Sequence, residues 1–298
     1  MTARERILAA FHDAVARADL PGRVARALGE DGPFVVIAAG KAATSMLAGV
    51  RDFSRALVVI PRGSAAPNDP RVTVLEASHP LPDESSVRAA EAALALAASD
   101  APEERLFLIS GGASSLLCAP APGLGLDRKR EVVDTLLRAE LPISDVNVVR
   151  RHLSRVKGGG LARACGARPR RTLIVSDVLG DAPEGVGSGP SVADPTTIED
   201  AARVAAGVGC ADLPFVETWK HRERAELVAT PRDFAETMAA ALVERGFEAR
   251  AFADAGRDVA ELARRYAEIV TEMKPGDARV RAAEPVLRVP PSAGRGGR

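Results

Sequence analysis

The chain has 298 residues, enough for a large core and two domains. Its 40 basic and 40 acidic residues cancel, so no long-range field favours nucleic acid or an anionic membrane. Aromatic residues make up only 3%, which leaves no stacking platform for single-stranded nucleic acid, and no apolar run approaches the length of a membrane span.

Cys118, Cys165 and Cys210 are widely spaced and odd in number. They fit neither a disulfide framework nor a zinc site, and they point to a reducing cytoplasm. The first residues begin a charged amphipathic helix and not a signal peptide. Ile7, Leu8, Phe11, Val15, Leu20, Val24 and Leu28 recur at near-helical spacing and predict one or two helices broken near Pro21. The apolar run 34–39 predicts a strand buried on both faces of a parallel sheet. Gly40-Lys41 follows it, then a small-residue helix over 42–50. Strands are expected at 56–60 and 72–76, the second running into the polar loop Ser78-His-Pro-Leu-Pro-Asp83. A helix over 84–98 returns the chain to the strand 106–109.

That strand ends in Ser110-Gly111-Gly112, and Ala113-Ser114-Ser115 opens the next helix. Without a Cβ at Gly111 and Gly112, backbone N–H groups can approach an anion closely, and Ser110, Ser114 and Ser115 add hydroxyl donors. The stretch reads equally as a tight strand-to-helix turn with a serine cap. Helices are expected over 127–138 and 144–156, the latter capped by Ser144 or Asp145, with Lys157 leading into Gly158, Gly159 and Gly160. A strand over 172–176 delivers Asp177 into a long glycine-, proline- and aspartate-rich loop to Thr197. Strands alternating with helices predict a doubly wound, mostly parallel α/β sheet over 1–215, with ligands bound outside the carboxyl ends of its strands. A second, incomplete α/β domain is expected over 216–298, with strands at 227–230, 247–252 and 285–289 and helices at 231–245 and 257–272.

Standard templates miss. Gly40-Lys41 lacks the first glycine and the Ser or Thr of a Walker A loop, because Val35 and Ala42 stand there. Gly187-Ser-Gly189 lacks the third glycine of a dinucleotide fingerprint, and Leu116 replaces the last glycine of a nucleophile elbow at Ser114. What remains is a set of polar residues at strand ends. Lys41 suits a phosphoryl or carboxylate oxygen. His79 sits rigidly before Pro80. Arg150, Arg151, His152, Arg155 and Lys157 form a basic run, either a solvated face or an anion site at Lys157-Gly158. Asp177 and Asp181 suit Mg²⁺, which takes one or two carboxylates plus phosphate and water, or simply cap the loop. Two anion cradles and a cation site point to phosphoryl transfer.

The runs Ala38-Ala-Gly-Lys-Ala42, Ser78-His-Pro-Leu-Pro-Asp83, Ser110-Gly-Gly-Ala-Ser-Ser115, Val149-Arg-Arg-His-Leu-Ser-Arg-Val-Lys-Gly158, Ser176-Asp-Val-Leu-Gly-Asp181, Asp194-Pro-Thr196 and Gly294-Arg-Gly-Gly-Arg298 resemble the class II glycerate 2-kinases along essentially the whole chain. The resemblance implies a Rossmann-like N-terminal domain, a cleft to a smaller C-terminal domain, and ATP- and Mg²⁺-dependent phosphorylation of D-glycerate at the 2-hydroxyl. It implies that Lys41 is the catalytic lysine and that Arg298, or Arg295, is the arginine of the last glycine motif. Either cradle can take ATP, the other the glycerate carboxylate, and no residue stands out as general base. Some members carry the name hydroxypyruvate reductase, so an oxidoreductase is the alternative, with a catalytically impaired ligand-binding relative as a third reading and a serine hydrolase at Ser114 as a fourth. Two departures stand out. Ala282 and Ala283 replace two glycines before Glu284, and the chain stops on the motif where the family continues through a leucine-rich segment. The expectation is a truncated chain, either a broken copy or one joined by a separately encoded C-terminal segment, with a homodimer as the other partner expected.

Overall fold

A computed structural model of the chain describes residues 1–139, 141–178, 180, 182–254 and 258–283. It divides into two compact units. The larger holds Leu20–Asp177 and the stretch 182–229. The smaller holds Met1–Asp19, Val178, Gly180 and the stretch from Thr230 onward. Helix α1 (Ala3–Arg17) belongs to the smaller unit. The larger one runs through α2 (Leu20–Leu28), β1 (Phe34–Ala39), α3 (Ala43–Leu47), β2 (Phe53–Pro61), β3 (Val72–Ala77), α4 (Glu84–Ala98), β4 (Glu104–Ser110) and α5 (Ala113–Leu116). It continues through α6 (Leu126–Arg138), α7 (Ile143–His152), α8 (Gly160–Ala164), β5 (Arg170–Val175), a 3₁₀ turn at Val186–Ser188, α9 (Ile198–Ala206) and β6 (Arg224–Ala229).

The six strands pair in parallel in the order β3-β2-β1-β4-β5-β6. This is the doubly wound fold expected from the alternation of strands and helices. The cause lies in the apolar runs. All six residues of β1 are buried, and Phe34, Val36 and Ala38 pack with Val24 and Leu28 of α2 and Met46 and Leu47 of α3. Each large aliphatic side chain so buried stabilises the sheet by about 1.5–3 kcal/mol. Ala89, Ala90, Ala93 and Ala97 form the buried face of α4, whose contacts run to β1, β2 and β3. Small residues there let the helix lie close to the strands. The chain leaves β1 towards β2 and β3 but leaves β4 towards β5 and β6, so the β1/β4 boundary is the topological switch point, where the connecting loops part and leave a crevice.

Three differences from the sequence reading have physical reasons. The strand expected to open the second region is β6, which pairs with β5 and closes the main sheet. Helix α7 stops at His152, because 153–157 turn to meet 119–121 through the Ala121 N–H to Leu153 O (3.1 Å) and Arg155 N–H to Ala119 O (2.9 Å) hydrogen bonds. Its cap is Pro142, and neither Ser144 nor Asp145 caps it by a side-chain hydrogen bond. Helices α8 and α9 were too short and too rich in small residues to stand out as periodic patterns.

In the smaller unit, α10 (Pro231–Val243), β7 (Glu248–Asp254), α11 (Val259–Glu272) and β8 (Asp277–Ala283) follow one another. Parallel pairing of β7 with β8 requires the crossover that α11 supplies. Ala10 and Ala14 of α1 pack on Met238, Ala241 and Leu242 of α10. Ala282 and Ala283 end β8, whereas Glu284, the expected strand 285–289 and the closing Gly-Arg motif lie outside the described residues. No described helix is long and apolar enough to cross a membrane.

Candidate functional site

Four strand ends deliver the residues around the glycine turn. At the end of β1, Gly40 (φ +125°) passes so close to β4 that a Cβ there would lie 2.1 Å from Ser110 Oγ. Ser110 Oγ accepts the Ala42 N–H (3.1 Å), and the Lys41 N–H donates to Gly111 O (2.9 Å). Ser110 is buried and locks the two strand ends together. The lock starts the exposed Lys41 side chain at the switch point. Gly111 faces Asp177, at the end of β5, and a Cβ on Gly111 would lie 2.0 Å from Asp177 Oδ2. Gly112 takes φ +90°, which a side chain would strain, and a Cβ there would lie 3.2 Å from the His79 ring and 3.4 Å from Lys41 Cγ. Among the described residues, no hydrogen bond or ion pair engages the side chains of Lys41, His79 or Asp177. Burial, and then the Lys41 charge, push the His79 imidazole below its ordinary pKa, with Asp177 opposing.

A second group lies on the α5 side of the same turn. The Arg150 guanidinium donates to Ser114 Oγ and, at 3.3 Å, to Asn147 Oδ1. Ser114 Oγ is 3.0 Å from Ser188 Oγ, which is 3.4 Å from Asn147 Oδ1. The buried Lys157 ammonium donates to Ser114 O, to Ser114 Oγ (3.0 Å) and to Leu117 O (3.2 Å). It therefore fixes Ser114 from behind. Lys129, also buried, donates to Leu153 O (2.7 Å). Burial pushes the Lys157 pKa well down, and the charges of Arg150 and Lys129 add to it. Burial likewise lowers Arg150, and Lys129 to about 8.

The rest of the basic run goes elsewhere. Arg155 forms a surface pair with Glu91 (2.8 and 2.7 Å). Arg151 and His152 join Asp194 in a closed knot. Arg151 Nε lies 3.1 Å from Asp194 Oδ2, close but not aligned as a hydrogen bond. Thr196 Oγ1 donates to Asp194 Oδ1 (2.8 Å) and lies 3.2 Å from His152 Nε2, while His152 Nδ1 donates to Val216 O (2.9 Å).

Of the expected site residues, Lys41, His79, Gly111, Gly112 and Asp177 come together, and Ser114, Arg150 and Lys157 form the adjoining group. The Ser115 hydroxyl is spent on Gly112 O (3.1 Å). Gly158 is a packing glycine, since a Cβ there would meet Thr218 Cγ2 at 2.6 Å. Asp181 and Arg298 lie outside the described residues. Among the described residues no cluster of three His, Cys, Asp or Glu side chains could hold a metal. The sequence reading missed Asn147 and Ser188. Asn147 stands three residues before Arg150 on α7, the spacing that sets two side chains on one helix face. Ser188 takes a positive φ (+62°) inside the glycine run that failed as a dinucleotide fingerprint.

A family model described as a domain of unknown function (DUF4147) matches residues 5–217. A protein of Agrobacterium vitis provisionally named hydroxypyruvate reductase is 42% identical over 265 residues, which is 83% of this chain and 60% of that protein. A Pyrococcus horikoshii protein named glycerate 2-kinase is 40% identical over 176 residues, 58% of this chain and 40% of that protein. The solved structure of a Thermotoga maritima glycerate kinase superposes with a TM-score of 0.81 at 27% identity, covering 98% of this chain and 75% of that one. The match to the first of these curated relatives thus spans about 60% of its length.

Proposed function

Because the chain belongs to the DUF4147 family, the family of the class II glycerate 2-kinases, we propose that it transfers a phosphoryl group from ATP to the 2-hydroxyl of D-glycerate, giving 2-phosphoglycerate. The observation that carries this reading is the meeting of Lys41, His79 and Asp177 around Gly111 and Gly112 at the switch point of the sheet. Lys41 is exposed, has no hydrogen-bond or ion-pair partner among the described residues, and can neutralise charge on the transferred phosphoryl. Gly111 makes room for the Asp177 carboxylate against the turn, and Gly112 lets His79 and Lys41 close on it. His79, whose pKa is lowered by desolvation and then by the Lys41 charge, is the imidazole placed to accept the hydrogen bond of the attacking hydroxyl. A loose transition state makes little demand for a stronger base.

Asp177 is the described residue that would hold Mg²⁺. It fits, since Mg²⁺ takes one or two carboxylates and fills its remaining positions with phosphate oxygens and water. Bound Mg²⁺ would neutralise phosphate charge; Asp181, a candidate of the sequence reading, and Arg298, a candidate of the resemblance, lie outside the described residues. Reduction of hydroxypyruvate is less well supported. The turn after β1 carries Gly40 as its single glycine, where a dinucleotide needs three. We assign the enzyme to the cytoplasm, the reducing compartment that its three buried free thiols fit.

The test is ADP release from Mg²⁺-ATP with D-glycerate, with enolase reporting 2-phosphoglycerate. Turnover that disappears in Lys41→Ala supports the kinase. Absence of turnover together with NADH-dependent loss of hydroxypyruvate would overturn it.

A further inference from the structure

We infer that Arg150, Ser114 and Asn147, backed by the buried Lys157, form the subsite for the carboxylate of a small hydroxy acid, leaving the Lys41–His79–Asp177 group to the phosphoryl. The inference rests on the kinase reading for the identity of the acid, but the anion site stands on its own geometry.

The first argument is charge. Among the described residues, Arg150, Lys157 and Lys129 have only carbonyl, hydroxyl and amide partners. Their chain neighbours do otherwise, Arg151 pairing with Asp194 and Arg155 with Glu91. Buried charge is normally paired, because the unpaired ion loses its hydration without replacement. Three cations gathered with no carboxylate among the described residues make a place where an anion is strongly favoured; burial presses on all three, and the Arg150 charge adds to it at Lys129 and Lys157.

The second argument is access. Lys157, Lys129 and Ser188 are buried, whereas Arg150, Ser114 and Asn147 are only half-buried. A small anion therefore meets the guanidinium, the hydroxyl and the amide first. Arg150 spends donors on Ser114 and Asn147 and keeps others of its five. A planar fork with spare donors suits the two oxygens of a carboxylate.

The third argument is distance. Ser114 stands two residues beyond Gly112, a span of about 7 Å at most. A carboxylate on Ser114 and Arg150 thus puts an adjacent hydroxyl near His79 and Lys41 only if the acid is short, with the hydroxyl on the carbon next to the carboxylate. Lys157 acts on this subsite as a positioning residue through its bonds to Ser114.

The experiment measures KM for D-glycerate and for ATP separately, and D-glycerate binding by calorimetry, in Arg150→Gln and Asn147→Asp. Arg150→Gln is expected to raise the KM for D-glycerate about 10- to 100-fold, the range for losing a hydrogen bond to a charged group, with the KM for ATP little changed. Arg150→Lys is expected to recover part of the loss. Asn147→Asp places a competing carboxylate beside Arg150, so it is expected to weaken D-glycerate binding while raising the melting temperature. A purely structural role for Asn147 does not predict those two changes together. The neutral analogue glycerol is expected not to bind the native protein. A raised KM for ATP alone, or unchanged D-glycerate binding in both folded variants, would overturn the subsite and leave the kinase standing. If the native protein turns nothing over, the kinase reading fails, yet calorimetric D-glycerate binding lost in Arg150→Gln still supports the subsite.

Discussion

Lys41, His79 and Asp177 repeat, in an open setting, the residue types that Arg151, His152 and Asp194 bring together in a closed one. Each group has one cation, one imidazole and one carboxylate. In the closed knot the three side chains are buried, both His152 nitrogens have partners, and Thr196 shares its hydroxyl with Asp194. Its hydrogen-bonded polar atoms tie α7 to the segments around 196 and 216, and two that make no hydrogen bond, Arg151 Nε and Asp194 Oδ2, face each other 3.1 Å apart and sealed from solvent. In the open group, Lys41 and Asp177 are exposed and the three side chains make no hydrogen bond with one another. Composition therefore does not separate a structural triad from a candidate active site; leftover bonding capacity beside space does.

Removing a member of the knot should cost stability, and removing a member of the open group should cost activity. Asp194→Ala leaves Arg151 buried without its counter-charge, and a loss of about 3–5 kcal/mol is expected in urea unfolding. Lys41→Ala is expected to lower kcat on the order of 10²–10³-fold. Its stability should stay within about 0.5 kcal/mol of the native protein, as for an exposed side chain with no partner among the described residues. An unfolded Lys41→Ala, or a fully stable Asp194→Ala, would break the comparison. Gly111→Ala sharpens it. The new methyl meets the carboxylate end of Asp177, which can swing aside, so the protein should fold normally. Displacing Asp177 is expected to lower kcat about 10²-fold, the usual scale for a misplacement near 1 Å.

The second cationic group permits a test by pH. Burial holds Lys129 at about 8 against an ordinary 10.5, which costs about 3 kcal/mol while the ammonium stays charged. Lys129→Met should therefore stabilise the protein near pH 7 by roughly 1–3 kcal/mol. Leu153 O keeps a partner in the Ala121 N–H. The sign follows from linkage. Below pH 8 both folded and unfolded lysine are protonated, and the full cost is present. Between about 8 and 10.5 the folded state sheds the proton first, so the native protein gains stability as pH rises and the gap to Lys129→Met closes. Urea unfolding at pH 7 and 10 reads this directly.

Much of this was legible in the sequence, for identifiable reasons. The apolar runs at 34–39 and 106–109 exposed the central strands because a strand buried on both faces has no polar interruptions. Lys41, Gly111 and Asp177 could be read as site residues because each directly follows such a run. The division of the basic stretch 150–157 could not. Arg150, Arg151 and Arg155 are one residue type within six positions, yet they face Ser114, Asp194 and Glu91. Those partners lie 36, 43 and 64 residues away along the chain, and only the folded chain brings them into range. Asn147 was invisible for the same reason, and the Asp194-Pro-Thr196 run carried no sign that its carboxylate closes a knot.

The smallest effect expected concerns the two histidines. Burial and the Lys41 charge lower the His79 pKa, so the acid limb of the kcat/KM profile should fall below 6.5. Below that limb the imidazole is protonated, becomes a second cation beside Lys41, and can no longer accept the hydroxyl proton. His79→Gln should remove the limb and reduce the plateau rate by less than about tenfold, because a loose transition state leans little on a base. His152→Gln should leave the limb where it is, since both ring nitrogens already serve the knot, and should appear in the melting temperature instead. A limb that persists in His79→Gln would mean that another group governs it, and the open triad would reduce to Lys41 and Asp177. A limb that moves in His152→Gln would mean that the closed knot reaches the reacting atoms through Arg150, its neighbour on α7.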